Sequence, residues 1–133
     1  MSGTSSAILI VDDDPAVREV LAILLEAEGF VVEEAEDSAA GLERLARGGI
    51  DLVLVDMMLP GADGLEFCRA VRSRPATVDL PIILVSASID RTAREVALAS
   101  GADDFVAKPI DSTDLYDRVD SWLGARRPLL EIT

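Results

Sequence analysis

A chain of 133 residues and 14.2 kDa, half of it hydrophobic, is one domain's worth of sequence and long enough to bury a substantial core. Its formal net charge of −13 argues against gripping a nucleic-acid backbone, which needs Lys and Arg, and favours cations and partners with basic surfaces. The sequence contains no histidine, which excludes a histidine-based catalytic triad, a histidine metal site and any self-contained phosphohistidine step.

Residues 1–6 are small and polar and lack the charged and apolar regions of a signal peptide, so a disordered lead-in is expected. No apolar run approaches the ~18 residues of a membrane span, so no membrane association is expected. The lone cysteine, Cys68, forms no internal disulfide, which suits a cytoplasmic location. Residues 7–11 (AILIV) read as a first buried strand. Asp12, Asp13 and Asp14 follow, and the Asp14-Pro15 pair reads as N-cap and first helical residue. Val17, Val20, Leu21, Leu24 and Leu25 recur at helical spacing, predicting an amphipathic helix closed by Gly29. Residues 30–35 form a second strand whose Glu33 and Glu34 mark an edge position. Asp37 caps a second helix with Leu42, Leu45 and Ala46 facing inward and Gly48-Gly49 ending it.

Leu52, Val53, Leu54 and Val55 run straight into Asp56, the pattern of a strand buried on both faces. Pro60-Gly61 breaks the chain before a third helix over residues 64–73, with Leu65, Cys68 and Val71 on one face. Residues 75–81 form a loop and residues 82–85 a fourth buried strand running into Ser86. A fourth helix spans residues 90–100 and ends at Gly101. A short fifth strand over residues 104–106 leads to Lys108 and Pro109. Asp111 caps a last helix through Leu115, Val119, Trp122 and Leu123, stopping at Gly124. Residues 125–133 are a tail or the start of a linker, and the domain is expected over residues 7–124. This strand–helix alternation with short connections predicts an α/β fold, a parallel sheet with helices on both faces.

In a parallel sheet the residues just past each strand share one edge, where open α/β sheets bind ligands. Asp12 and Asp13, Asp56, Ser86 and Lys108 are therefore expected to converge. Carboxylates ~5 Å apart at an effective dielectric of ~20 repel by about 3 kcal/mol per pair, so the cluster calls for a cation. Oxygen-only ligands point to a hard ion such as Mg2+. A metal, a lysine and a hydroxyl around a carboxylate are the parts of a phosphoryl-transfer site, with Asp56 as nucleophile. Asp12 and Asp13 then hold the ion, Lys108 pairs with the phosphoryl group, and Ser86 donates a hydrogen bond to it.

The segments ILIVDDDP, LVLVDMMLPGADG, IILVSA and FVAKP, in this order and spacing, resemble the receiver domain of two-component response regulators, over about residues 7–123. The resemblance implies the five-stranded flavodoxin-like, doubly wound sheet of order 2-1-3-4-5. It implies that Asp56 takes a phosphoryl group from a histidine kinase or a histidine phosphotransfer protein. It assigns Asp12, Asp13 and Asp56 to Mg2+, with the Met58 backbone carbonyl as a further ligand, and Ser86 and Lys108 to the phosphoryl oxygens. It makes Ser86 and Phe105 a coupled switch, places a cis peptide at Lys108-Pro109, and sends the signal through the fourth helix, fifth strand and fifth helix to a fused output domain or a separate effector. Phe105 stands where Tyr is usual, which removes a hydroxyl contact.

Other readings stay open at this level. A Mg2+-dependent phosphohydrolase would also pass through an aspartyl-phosphate, although Met58 stands where such an enzyme has its second acid. A phosphate-independent scaffold with the same fold is a third reading. A flavin or nucleotide carrier lacks its Gly-rich loop after the first strand. Asp14 reads better as a cap than as a ligand, and Cys68 as a small core residue. Phe105 reads as core or switch, Met57 and Met58 as packing or as control of water access, and Leu129-Leu130 as linker or packing. A homodimer through the last helix is also open.

Overall fold

The structure, a computed structural model, describes residues 6–59, 64–87 and 90–124. The tail with Leu129-Leu130, the Pro60-Gly61 break and all of the lead-in but Ser6 lie outside the described residues. Five apolar runs become strands: Ala7–Val11 (β1), Val31–Ala35 (β2), Leu52–Asp56 (β3), Ile82–Ser86 (β4) and Asp104–Ala107 (β5). They form a parallel sheet in the order β2-β1-β3-β4-β5, in register Ile10 with Leu54, Asp56 with Val85 and Ser86 with Ala107. The helices are Pro15–Ala27 (α1), Ser38–Ala46 (α2), Gly64–Arg72 (α3), Arg91–Ser100 (α4) and Ser112–Gly124 (α5). The flavodoxin-like fold expected from the sequence is the one observed.

Strand side chains alternate between the two faces, and the core divides accordingly. Leu9, Val11, Val53, Val55 and Leu84 pack with Leu45, Phe67, Cys68, Val71 and Ala97 of α2, α3 and α4. Ile8, Ile10, Leu52, Leu54, Ile83 and Val85 pack with Leu21, Leu25, Leu115, Val119 and Leu123 of α1 and α5. β3 is buried along its whole length because both layers cover it. Each fully buried aliphatic side chain contributes about 1.5–3 kcal/mol of transfer free energy, and this central strand concentrates that contribution beneath Asp56.

Polar punctuation sets the helix starts. Asp14, Asp37, Asp90 and Asp111 each accept a backbone N–H of the following turn, at 2.8–3.2 Å. Gly101 closes α4 with φ 112°, a left-handed conformation that glycine adopts without steric cost. Three expectations are corrected. Val20 is 48% exposed, because it lies at the margin of the α1 stripe. Ala46, the last residue of α2, is exposed. Leu65 is only partly covered, while the fully buried residue of α3 is Phe67, whose ring fits against Gly41. At the amino edge of the sheet, the Arg72 guanidinium donates to the carbonyls of Leu80 (2.6 Å), Val78 (3.1 Å) and Gly101 (3.0 Å) and to Asp103 Oδ2 (2.7 Å). No helix among the described residues is long and apolar enough to cross a membrane.

Candidate functional site

The carboxyl edge of the sheet brings together the residues that the sequence places after each strand. Asp12 directly follows β1, Asp56 ends β3, Ser86 ends β4 and Lys108 directly follows β5. Carboxylate oxygens of Asp12, Asp13 and Asp56 lie within 4.8 Å of one another. Asp12 is 1% exposed and Asp56 6% exposed, whereas Asp13 reaches solvent. Lys108 Nζ stands 3.5 Å from Asp56 Oδ1 and 3.7 Å from Asp12 Oδ2. Its backbone N–H donates to Ser86 O at 2.9 Å, which ties the end of β4 to the loop after β5. The Lys108-Pro109 peptide is cis.

Asp12 Oδ1 accepts from Asp14 N–H at 2.8 Å, while Oδ2 is buried without a hydrogen-bond partner among the described residues. Burial pushes the Asp12 carboxyl above the usual carboxylate range; the nearby charges of Asp56 and Asp13 push the same way, while the Asp14 N–H and Lys108 oppose them. Such an atom fits a cation, because a buried acceptor left unmatched costs about 1–3 kcal/mol and three oxygen donors suit a hard divalent ion. The residues present therefore fit Mg2+. Met58 is 76% exposed, and its N–H donates to Asp56 Oδ1 at 3.1 Å, which fixes the turn carrying its carbonyl.

Phe105 is half-buried with Arg94 of α4 above its ring, 5.6 Å from the centroid. In register Leu84 faces Phe105 and Ser86 faces Ala107, so Phe105 and Ser86 sit on the same face of the sheet, one pleat apart. A groove of about 300 Å³ adjoins Lys108, lined by Ala16, Val17, Val20, Pro109 and Ile110. Sequence reasoning missed Gly64, at the start of α3, where a Cβ would meet Asp56 O at 2.6 Å. It also missed Arg18, which donates to the Asp12 carbonyl at 2.6 Å. Neither contact has a signature in residue spacing.

The profile of the response regulator receiver domain matches residues 8–120. The chain belongs to this family. Among curated relatives, the phosphate regulon transcriptional regulatory protein PhoB of Rhizobium meliloti is 40% identical over 121 residues, covering 91% of this chain and 53% of that protein. The receiver chain thus spans about half the length of the curated relatives it matches. Among solved structures, a Chloroflexus aurantiacus J-10-fl protein described as a response regulator superposes with TM-score 0.87 at 35% identity, covering 91% of this chain and 99% of that one. The receiver domain of the sensor histidine kinase PA1611 from Pseudomonas aeruginosa PAO1 superposes with TM-score 0.84 at 29% identity, covering 91% and 99%. That structure carries a magnesium ion coordinated in its active-site cleft.

Proposed function

We propose that this receiver, over residues 7–124, is a phosphorylation-controlled switch. Asp56 accepts a phosphoryl group from the phosphohistidine of a sensor histidine kinase or histidine phosphotransfer protein. The observation that carries the reading is the convergence of the Asp12 and Asp13 carboxylates and the Lys108 ammonium on Asp56, at the end of the central buried strand. A carboxylate oxygen of Asp56 attacks phosphorus, the P–N bond of the donor breaks, and the imidazole leaves with the electron pair and takes a proton from solvent. Asp12, Asp13, Asp56 and the Met58 carbonyl would hold Mg2+, which would supply charge compensation at the phosphoryl oxygens.

The remaining work falls to the chain itself. Lys108 exchanges its contacts with Asp12 and Asp56 for the incoming phosphoryl oxygens. Ser86 donates its hydroxyl to one of them, and Phe105 follows into the space that Ser86 leaves, which alters the α4-β5-α5 face. The same groups serve hydrolysis of the acyl phosphate, so the domain catalyses both its own phosphorylation and its own dephosphorylation. The donor is a cytoplasmic protein, and the mostly apolar groove beside Lys108 supports contact with an apolar part of its surface. The transcriptional regulators among its relatives support an output on transcription, through a fused domain or a separate effector.

Acetyl phosphate with Mg2+ is expected to add one phosphoryl group, seen by intact-protein mass spectrometry, and EDTA or Asp56→Asn is expected to abolish it. An adduct that persists in Asp56→Asn would sink the assignment of the acceptor.

A further inference from the structure

Asp12 is held by more than its own strand. Its backbone N–H donates to Ala35 O at 3.1 Å, and its carbonyl accepts from Arg18 Nη1 at 2.6 Å. The same guanidinium donates through Nε to Glu34 Oε1 at 3.0 Å. The Arg18 side chain is 16% exposed and runs from α1 to the edge strand, where Glu34 is 44% exposed. The peptide groups of Asp12 are therefore anchored on both sides by β2, directly through Ala35 and indirectly through Arg18 and Glu34. With Oδ1 taken by Asp14 N–H, the one polar atom of Asp12 without a hydrogen bond among the described residues is Oδ2, which faces Lys108.

We propose that Arg18, anchored by Glu34, is a positioning residue for the cation site. It fixes the turn that carries Asp12 and Asp13 against the mutual repulsion of the carboxylates. The proposal rests on the phosphotransfer reading for its metal. A planar guanidinium suits the task because its donors form a rigid fork that bridges two acceptors at a set distance. Glu34 offsets the charge of that fork, so Arg18 restrains the turn without acting chiefly as a competing cation.

The sign of the effect separates positioning from charge. Removing a cation beside an acidic cluster strengthens Mg2+ binding by Coulomb's law, whereas releasing the turn weakens it. Titration of the whole chain with MgCl2 by calorimetry is expected to show Arg18→Gln binding about tenfold more weakly than wild type, as when a group that orients a metal ligand is lost. Arg18→Lys, which keeps the charge and loses the fork, is expected to fall between the two. With acetyl phosphate as donor, the Mg2+ concentration for half-maximal rate should rise in both variants, with a smaller change in the rate at saturating Mg2+. Arg18→Gln binding Mg2+ as tightly as wild type, or more tightly, overturns the assignment. Where Arg18→Gln does not fold, Arg18→Lys matching wild type overturns it equally. A wild-type chain that binds no Mg2+ removes the functional reading and this proposal together, so the two failures are told apart by the wild-type titration.

Discussion

Gly64 stands against the peptide that carries Asp56: a Cβ there would lie 2.6 Å from Asp56 O and 2.9 Å from Met57 Cα. Both atoms are backbone, so neither can rotate away, and a methyl group must displace the start of α3 or the end of β3. Overpacking of this kind costs about 1–3 kcal/mol. Gly64→Ala is expected to lose that much stability in urea unfolding. It is also expected to take up phosphate more slowly, because Asp56 shifts relative to Lys108, now 3.5 Å away. Wild-type stability in the variant would show that the backbone yields freely. The contrast with Asp56 itself shows what sequence can reveal. Asp12, Asp56, Ser86 and Lys108 were legible because the ends of parallel strands share an edge. Gly64 and Arg18 were not, because they meet the site only through the folding-back of a loop and the reach of a long side chain.

At the scale of elements, β2 is an edge strand held from both faces. Its adjacent glutamates point opposite ways: Glu34 meets Arg18 of α1, and Glu33 meets Arg44 of α2 through Nε and, at 2.7 Å, through Nη2. The hydrogen bonds from Arg44 hold the Glu33 carboxyl below its ordinary value of 4.5. A carboxyl lowered in the folded state binds fewer protons there than in the unfolded chain. Its stabilisation is therefore complete above the unfolded value and lost as pH falls through the folded one. Glu33 is 38% exposed, and solvent screening limits such a pair to about 0.5–1 kcal/mol. Glu33→Gln is expected to be less stable than wild type by that amount at neutral pH, with the two unfolding curves converging in acid. A gap that stays constant down to strongly acid pH would show that the carboxylate charge contributes nothing. The two glutamates were readable as edge polarity, but their partners were not. The stripe on α3 was within reach: Gly64, Phe67, Cys68 and Val71 are its buried residues, at spacings of three, four and seven. A glycine with no apolar side chain hid the start of that pattern. Periodicity likewise fails at the margin of a stripe, which is where Val20 lies.

Over the whole molecule, the two edges of the sheet are built differently. One carries the acidic cluster, and the other is locked by the Arg72 guanidinium, which binds the Val78 and Leu80 carbonyls of the α3–β4 connection, the Gly101 carbonyl and Asp103. Arg69 adds a contact to Ser100 Oγ at 3.3 Å. The buried residues of α4, Ala97 and Ser100, both lie in its second half, and the Asp90 side chain caps its own helix. Amide hydrogen exchange is therefore expected to be faster at residues 94–96 than at residues 98–102. Arg72→Met is expected to erase the difference and to cost about 2–3 kcal/mol through the acceptors it strands. Equal protection along α4 in the wild type would contradict this. In the proposed switch α4 would act as a lever about 15 Å long, with its fulcrum at Gly101, far from the chemistry, and its less buried end toward β4. A small displacement at the end of β4 would then become a swing of the first turns of α4, Arg94 among them, while the far end keeps its place.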